Sequence, residues 1–379
     1  MLGAVKMKIG QITMYGDNYG ACLQAYALQK VCQENGHEIE LINYHQAVRE
    51  KVGSVSKLQK VRKLGLKVTL KYIKERKYIE LRKNAYKKFR DDYLVFHEEE
   101  YYRNDDLKKL NSEFDCFICG SDMIWSEEFS EDWEFFFLNF VEKDKRFTYA
   151  PSFGKNSLTN SNKVKVKEYL QDFNKISCRE NGGIDLLESL GVTGAKQVVD
   201  PTMLLSKEEW MHCIPEKKRI IQEPYVFAYL FGEETQERKK FFRCVEKKIS
   251  RMYTLPKFTK KEQNSFPIKD IGPMEYLRLF RDAEFIVTDT FHGLMFSIIF
   301  RKPFVVLKRH DGSNWSKYSD RMTSALDMFG LKERYVDDDF RELDRMKQLN
   351  YDKYETLIKK AQENSLTYLK DIFNEVKHG

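Results

Sequence analysis

The chain has 379 residues, 42% of them hydrophobic and 32% charged, a mixture that excludes disorder or fibrous structure for its bulk and can bury a sizeable core. At roughly 150 residues per domain the length points to two domains. The net charge of +7 is unevenly spread: Arg49 to Arg90 holds 16 basic and 3 acidic residues, a local +13 that leaves the remainder at −6. A pI near 8.7 therefore describes one segment and not the whole chain.

The longest apolar stretch, Gly293 to Phe300, is far shorter than the roughly 18 to 20 residues that span a bilayer. Met1 to Lys8 has no long apolar run after its first charge, so no secretory signal is expected and the expected location is cytoplasmic. Seven cysteines, an odd number in such a chain, fit reduced thiols better than a disulfide framework. Cys116 and Cys119 form a C-x-x-C, but Asp115-Cys-Phe-Ile-Cys-Gly120 reads as a buried strand. No second cysteine pair or suitably spaced histidine completes a zinc site, so neither a metal nor a cofactor is expected.

Lys8 to Thr13 reads as a strand and is followed by the turn-rich Tyr15-Gly-Asp-Asn-Tyr-Gly20. Ala21 to Asn35 has helical spacing and stops at Gly36, and Ile39 to Tyr44 is a second strand. This order opens a parallel α/β sheet. After the basic segment the pattern resumes with strands at Phe114 to Cys119, Arg146 to Ala150, Lys175 to Cys178 and Gln197 to Val199. Helices are expected over Val164 to Phe173 and Asp185 to Leu190. A second series has strands at Tyr225 to Leu230, Glu284 to Thr288 and Phe304 to Leu307, with helices near Glu234 to Ser250 and over His292 to Phe300. A polar helix over Tyr351 to Val376 ends the chain. The expected organisation is an α/β domain over 1–210 with a basic helical insertion at about 48–112, a second over 220–340, and a terminal helix within 345–379.

Two successive α/β domains imply a cleft, and ligands bind at the carboxyl ends of parallel strands. Gly16-Asp-Asn-Tyr-Gly20 can present N–H groups to an anion or a sugar, or simply permit a tight turn. Gly120-Ser-Asp-Met-Ile-Trp125 puts a hydroxyl, a carboxylate and an aromatic face at a strand tip; the alternative is a helix cap with a core Trp. Arg179 ends another strand and can clamp a carboxylate or phosphate, unless it forms a surface pair with Glu180. Thr288-Asp-Thr-Phe-His292-Gly293 runs from an apolar strand into an apolar helix. That places His292 at a helix N-terminus facing the cleft, suited to acid/base work, with Lys308, Arg309 and Arg321 as cations near the same edge.

Taken in order, these segments resemble the polysaccharide pyruvyl transferase family. The matching pieces are Lys8-Ile-Gly-Gln-Ile-Thr13, Asn18-Tyr-Gly-Ala-Cys-Leu-Gln-Ala-Tyr-Ala-Leu-Gln29, Phe117 to Trp125, Tyr149-Ala-Pro-Ser-Phe-Gly154 and Cys178-Arg-Glu180. Asp200-Pro-Thr-Met-Leu-Leu205 and Thr288 to Gly293, with Phe296 to Phe300 and Lys302-Pro-Phe304, complete the series. The resemblance implies two Rossmann-like domains facing a cleft, as in the glycosyltransferase B architecture, with acceptor on the first domain and donor on the second. It implies phosphoenolpyruvate as donor and a saccharide acceptor in bacterial surface polysaccharide synthesis, with no separate cofactor. It matches His292 to the family's catalytic histidine and Arg179 to an arginine that holds the enolpyruvate. Asn18, Tyr19, Gly20, Ser121, Asp122, Trp125, Lys308, Arg309 and Arg321 are the expected substrate contacts. The chain departs from the family pattern at Met123 and Ser126, which replace amide side chains, at Pro151, and at Tyr318-Ser-Asp-Arg321, which keeps only the Arg.

Competing readings are a nucleotide-sugar glycosyltransferase of similar fold, for which no glycine-rich diphosphate loop stands in the second half, and a non-catalytic carbohydrate-binding protein. No nucleic-acid motif accompanies the basic segment. There Leu58, Val61, Leu64, Val68 and Tyr72 recur at helical spacing, with Gly65 as a weak point. A lipid-linked acceptor would set this face against the anionic inner leaflet; the alternative is a solvated helix capping the domain.

Overall fold

The computed structural model describes residues 6–44, 66–233, 235–255, 271–309, 320–336 and 343–378, the side chains of 66–77 and 377–378 excepted. The first domain runs β1 (Lys8–Ile12), α1 (Tyr19–Glu34), β2 (Glu38–Tyr44), α2 (Leu66–Tyr93), β3 (Phe96–Tyr101), β4 (Cys116–Cys119) and β5 (Arg146–Thr148). It continues through α3 (Asn160–Leu170), β6 (Ser177–Cys178), α4 (Asn181–Ser189) and β7 (Lys196–Gln197). Its main sheet is ordered β3-β2-β1-β4-β5, with every neighbouring pair parallel. Ile9 of β1 lies opposite both Ile39 and Cys116. Strands β6 and β7 pair with each other and join this sheet through a bridge between Phe147 and Lys175.

The second domain follows α5 (Lys207–Cys213) with β8 (Val226–Tyr229), α6 (Gln236–Lys248), β9 (Met252–Thr254), α7 (Pro273–Asp282), β10 (Phe285–Thr288), α8 (Phe291–Ile299) and β11 (Phe304–Leu307). Then come α9 (Asp320–Met328), β12 (Tyr335–Val336) and the long α10 (Glu355–His378). This sheet is ordered β12-β11-β10-β8-β9 and is also parallel throughout. Strands β4, β8, β10 and β11 are buried at every position. That follows from helices covering both faces of a parallel sheet, and it explains why these strands read as unbroken apolar runs. The result is the expected α/β fold of two Rossmann-like domains.

Three regions differ from the sequence-based expectation. The stretch expected as a helical insertion carries β3, which pairs with β2 and forms the sheet's edge. Its Glu98, Glu99 and Glu100 are exposed while His97 and Tyr101 point inward, and charge of this kind is how an edge strand avoids further pairing. Helix α2 is an integral crossover as well: Tyr86 and Phe89 are buried in the core and Arg82 lies over the Tyr19 ring. Leu58, Val61, Leu64 and Gly65 lie outside the described residues. Helix α7, absent from the sequence reading, starts on Pro273 at its first turn and supplies Tyr276, which stacks on Tyr19 of the first domain at 4.5 Å. Helix α10 returns to the first domain, where Ser365 Oγ accepts from the Val199 N–H and the Tyr368 hydroxyl donates to the Thr148 carbonyl. No helix among the described residues is long and apolar enough to cross a membrane.

Candidate active site

A cavity of about 560 Å³ opens between the domains. Its walls come from segments that leave the carboxyl ends of both sheets. Thr13 to Asn18 follow β1, Tyr44 ends β2, and Asp122 and Met123 follow β4. Across from them, Tyr229 and Phe231 leave β8, Thr290 to His292 leave β10, Arg309 leaves β11, and Arg321 projects from α9. Among the described residues the charged groups on the first wall are Asp17, Asp122 and Asp132, and those on the second are Arg309 and Arg321, with His292 between.

The strand tip after β4 is held rigidly. Gly120 and Ser121 are joined by a cis peptide, and Gly120 (φ 134°) and Asp122 (φ 69°) are left-handed. A Cβ at Gly120 would sit 2.0 Å from the Tyr149 carbonyl oxygen, so only glycine fits there. Gln24 of α1 secures the tip: its Nε2 donates to Thr13 Oγ1 and the Met14 carbonyl, while its Oε1 accepts from the Ser121 N–H. Ser121 Oγ donates to the Ala150 carbonyl at 2.8 Å.

His292 stands in the first turn of α8, whose N-cap Thr290 accepts from the Gly293 N–H. The imidazole is closely flanked. Its Nε2 lies 3.6 Å from Asp200 Oδ2, and a Cβ added to Gly20 of α1 would fall 2.0 Å from its Nδ1. Gly20 is therefore the residue that lets the two domains close around the ring.

Behind the wall lies a buried charge network. Arg179 Nη1 donates to Asp200 Oδ2 at 2.8 Å, and its guanidinium sits 4.1 Å from the Phe291 ring centroid. Its Nε and Nη2 make no hydrogen bond. Burial opposes the charge of Arg179, but Asp200, Asp122 and Glu180 outweigh it and raise its pKa. Burial also works to raise the Asp200 carboxyl; His292, Arg179 and the Thr202 N–H overcome it and hold the group well below the usual carboxylate range. Glu180 is buried too, accepting from Ser152 Oγ and the Phe153 N–H, and burial pushes its carboxyl up. Arg321 lies 6.0 Å from the Phe291 centroid on its own side. Burial and then the nearby Arg179 press its pKa down to about 10, so it remains charged at neutral pH. Arg309 Nη2 donates to the Asp289 carbonyl, and the Asp289 carboxylate in turn binds the N–H groups of Phe231 and Gly232. Clustered guanidinium groups around one cavity create a positive field that an anionic ligand would relieve.

The polysaccharide pyruvyl transferase family model matches residues 18–311, most of the chain. The protein belongs to that family. No functionally curated protein matches it in sequence. In fold it is similar to the UDP-GlcNAc 2-epimerase of Neisseria meningitidis bound to UDP-GlcNAc, at 11% identity and TM-score 0.52, over 97% of this chain and 100% of that one. It is likewise similar to the MnaA–UDP structure from S. aureus, at 11% identity and TM-score 0.52, over 98% of each chain. At this identity the likeness is one of fold alone.

Within this pyruvyl transferase family member the expected site residues separate into two groups. Gly20, Asp122, His292, Arg309, Arg321 and Asn18 line the cavity, although the Asn18 side chain is engaged in capping α1 through the N–H groups of Gly20 and Ala21. Arg179 lies one layer behind the wall, and the pairing with Glu180 is buried, not superficial. Four expected contacts do not line the cavity. Tyr19 is buried at the domain interface, donating to the Ile271 carbonyl. Ser121 is buried beneath the strand tip. Trp125 is a core residue stacked on Phe137 at 4.8 Å, so the Ser/Asp tip with a core Trp is the arrangement found. Lys308 is exposed, and its backbone carbonyl accepts from Arg238.

Sequence reasoning passed over Asp200 as a site residue, although Asp-Pro after a strand was visible as a motif. It also passed over Tyr15, Phe129, Asp132, Phe135, Phe136, Phe231 and Phe291, aromatic and acidic residues whose common location is created by folding. Among the described residues no group of three or more His, Cys, Asp or Glu is placed to hold a metal ion. All seven cysteines are free, and Cys116 and Cys119 belong to different apolar clusters on opposite faces of β4.

Proposed function

We propose that this transferase moves a pyruvyl group from phosphoenolpyruvate onto a pair of sugar hydroxyls as a cyclic ketal, releasing phosphate. The observation that carries the reading is the cavity's division into a wall bearing Arg309, Arg321 and His292, with Tyr229, Phe231 and Phe291 around them, and a wall bearing Asp17, Asp122 and Asp132 beside Tyr15, Tyr44 and Phe135. A donor with a carboxylate and a phosphate suits the first, and a sugar with apolar ring faces and hydroxyl donors suits the second.

One hydroxyl adds to C2 of the enol as C3 gains a proton and becomes a methyl group; the second hydroxyl then displaces phosphate at C2. Of the two hydroxyl protons, one balances the proton taken by C3 and the other leaves with phosphate. His292 is the group positioned to move a proton in these steps, Arg321 and Arg309 hold the anionic ends, and the Arg179 charge strengthens the field from behind. The acceptor is a saccharide of surface polysaccharide synthesis. If it is lipid-linked, the exposed Lys83, Lys87 and Lys88 of α2 belong to the basic face that would meet an anionic membrane.

The test is incubation with phosphoenolpyruvate and a panel of synthetic and lipid-linked saccharides. One phosphate released per acceptor gaining a pyruvyl ketal is the expected result. Turnover of nucleotide sugars instead, with phosphoenolpyruvate inert, would sink the donor assignment.

A further inference from the structure

Asp200 is a fully buried carboxylate beside the cavity, and its two oxygens have separate surroundings. Oδ1 accepts from the Thr202 N–H and Oγ1 at 3.0 and 2.8 Å, which is all that capping the turn Pro201–Leu204 requires. Oδ2 is left over for other work: it lies 2.8 Å from Arg179 Nη1, 3.4 Å from Ser121 Oγ and 3.6 Å from His292 Nε2. That Nε2 is buried and makes no hydrogen bond. An imidazolium at a helix N-terminus is opposed by the helix dipole, and a carboxylate at this distance supplies the opposing charge.

We infer that Asp200 is a positioning residue, a carboxylate from the first-domain side of the cleft that orients the second domain's His292 and steadies the charge this histidine gains during proton transfer. The inference rests on the acid/base role given to His292 above. Arg179 Nη1 binds Asp200 Oδ2 at 2.8 Å, and with the Thr202 N–H on Oδ1 this keeps the group beside the ring a carboxylate. The other charged groups that line the cavity with the ring are Asp17, Asp122 and Asp132 on the first wall and Arg309 and Arg321 on the second; α1 meets it with Gly20, which has no titratable group. Because carboxylate and imidazole come from opposite sides of the cleft, the pair is complete only when the domains are closed around it.

The test compares wild type with Asp200→Asn, which keeps the shape and removes the charge. With phosphoenolpyruvate and an acceptor, kcat should fall roughly 10²-fold while KM for phosphoenolpyruvate stays nearly constant. The histidine-dependent limb of the pH–rate profile should move to lower pH, because a negative charge 3.6 Å from the ring is removed. Proton occupancy of the His292 imidazole at pH 7, read from 15N shifts and assigned with His292→Gln, should drop. Should Asp200→Asn leave Arg179 uncompensated and the chain unfolded, Asp200→Asn combined with Arg179→Met removes both buried charges and keeps the 15N measurement open. Unchanged proton occupancy in either folded variant overturns the inference. A clear drop in a protein that never releases phosphate from phosphoenolpyruvate supports the pairing and removes the donor assignment alone.

Discussion

The two walls of the cleft are built on the same plan and carry opposite chemistry. Each follows the carboxyl ends of a parallel sheet and carries aromatic rings, yet among the described residues the first-domain wall presents aspartates while the second presents arginines and a histidine. The sheets set where the walls stand, and the turns and helix starts that follow the strands decide what each can bind.

The sharpest way to break the comparison is to remove its central group. His292→Ala should lose roughly 10² to 10⁴-fold in turnover while unfolding like wild type, as a positioned acid/base group commonly contributes that much. Trp125→Ala attacks the support of the first wall without touching its surface. A loss of about 3–5 kcal/mol in denaturant unfolding is expected for so buried a ring, with phosphoenolpyruvate affinity unaltered in the protein that remains folded. Gly20→Ala forces the two walls apart at the imidazole, and a displacement of that size should cost about 10²-fold in activity, measured as kcat/KM. Arg321→Met tests the second wall by itself: KM for phosphoenolpyruvate should rise roughly 10- to 10²-fold, and acceptor binding by calorimetry should be unchanged.

The smallest effect concerns acid stability. The folded pKa of Asp200 is depressed below its unfolded value, so its stabilising contribution is fully present above the ordinary carboxylate range near pH 4 and is lost as pH falls below that range. Thermal melts between pH 6 and pH 3 should show a falling Tm, and Asp200→Asn should flatten the acid part of that fall. A variant curve parallel to wild type would remove Asp200 from the account.

Much of the fold was legible because both sheets are parallel and covered on both faces, so β4, β8, β10 and β11 stand out as apolar runs between turns. Strand β3 was not: at an edge, with Glu98 to Glu100 facing solvent, it lacks that signature. Helix α7 escaped for a different reason. Its value lies in Tyr276 meeting Tyr19, a contact between residues more than 250 positions apart.

By itself the sequence determined local devices at the strand ends: the turn at Gly16 to Gly20, the Asp-Pro turn at 200 and the histidine that opens α8. These depend on backbone geometry within a few residues. Only the tertiary structure decided which of them share a cavity. It turned Trp125 and Tyr19 into packing, left Lys308 outside, and set Asp200 beside His292 across the cleft, because side-chain direction and domain closure depend on contacts between distant segments. The basic run likewise proved to include most of a crossover helix, which buries Tyr86 and Phe89 in the core while Lys83, Lys87 and Lys88 face solvent.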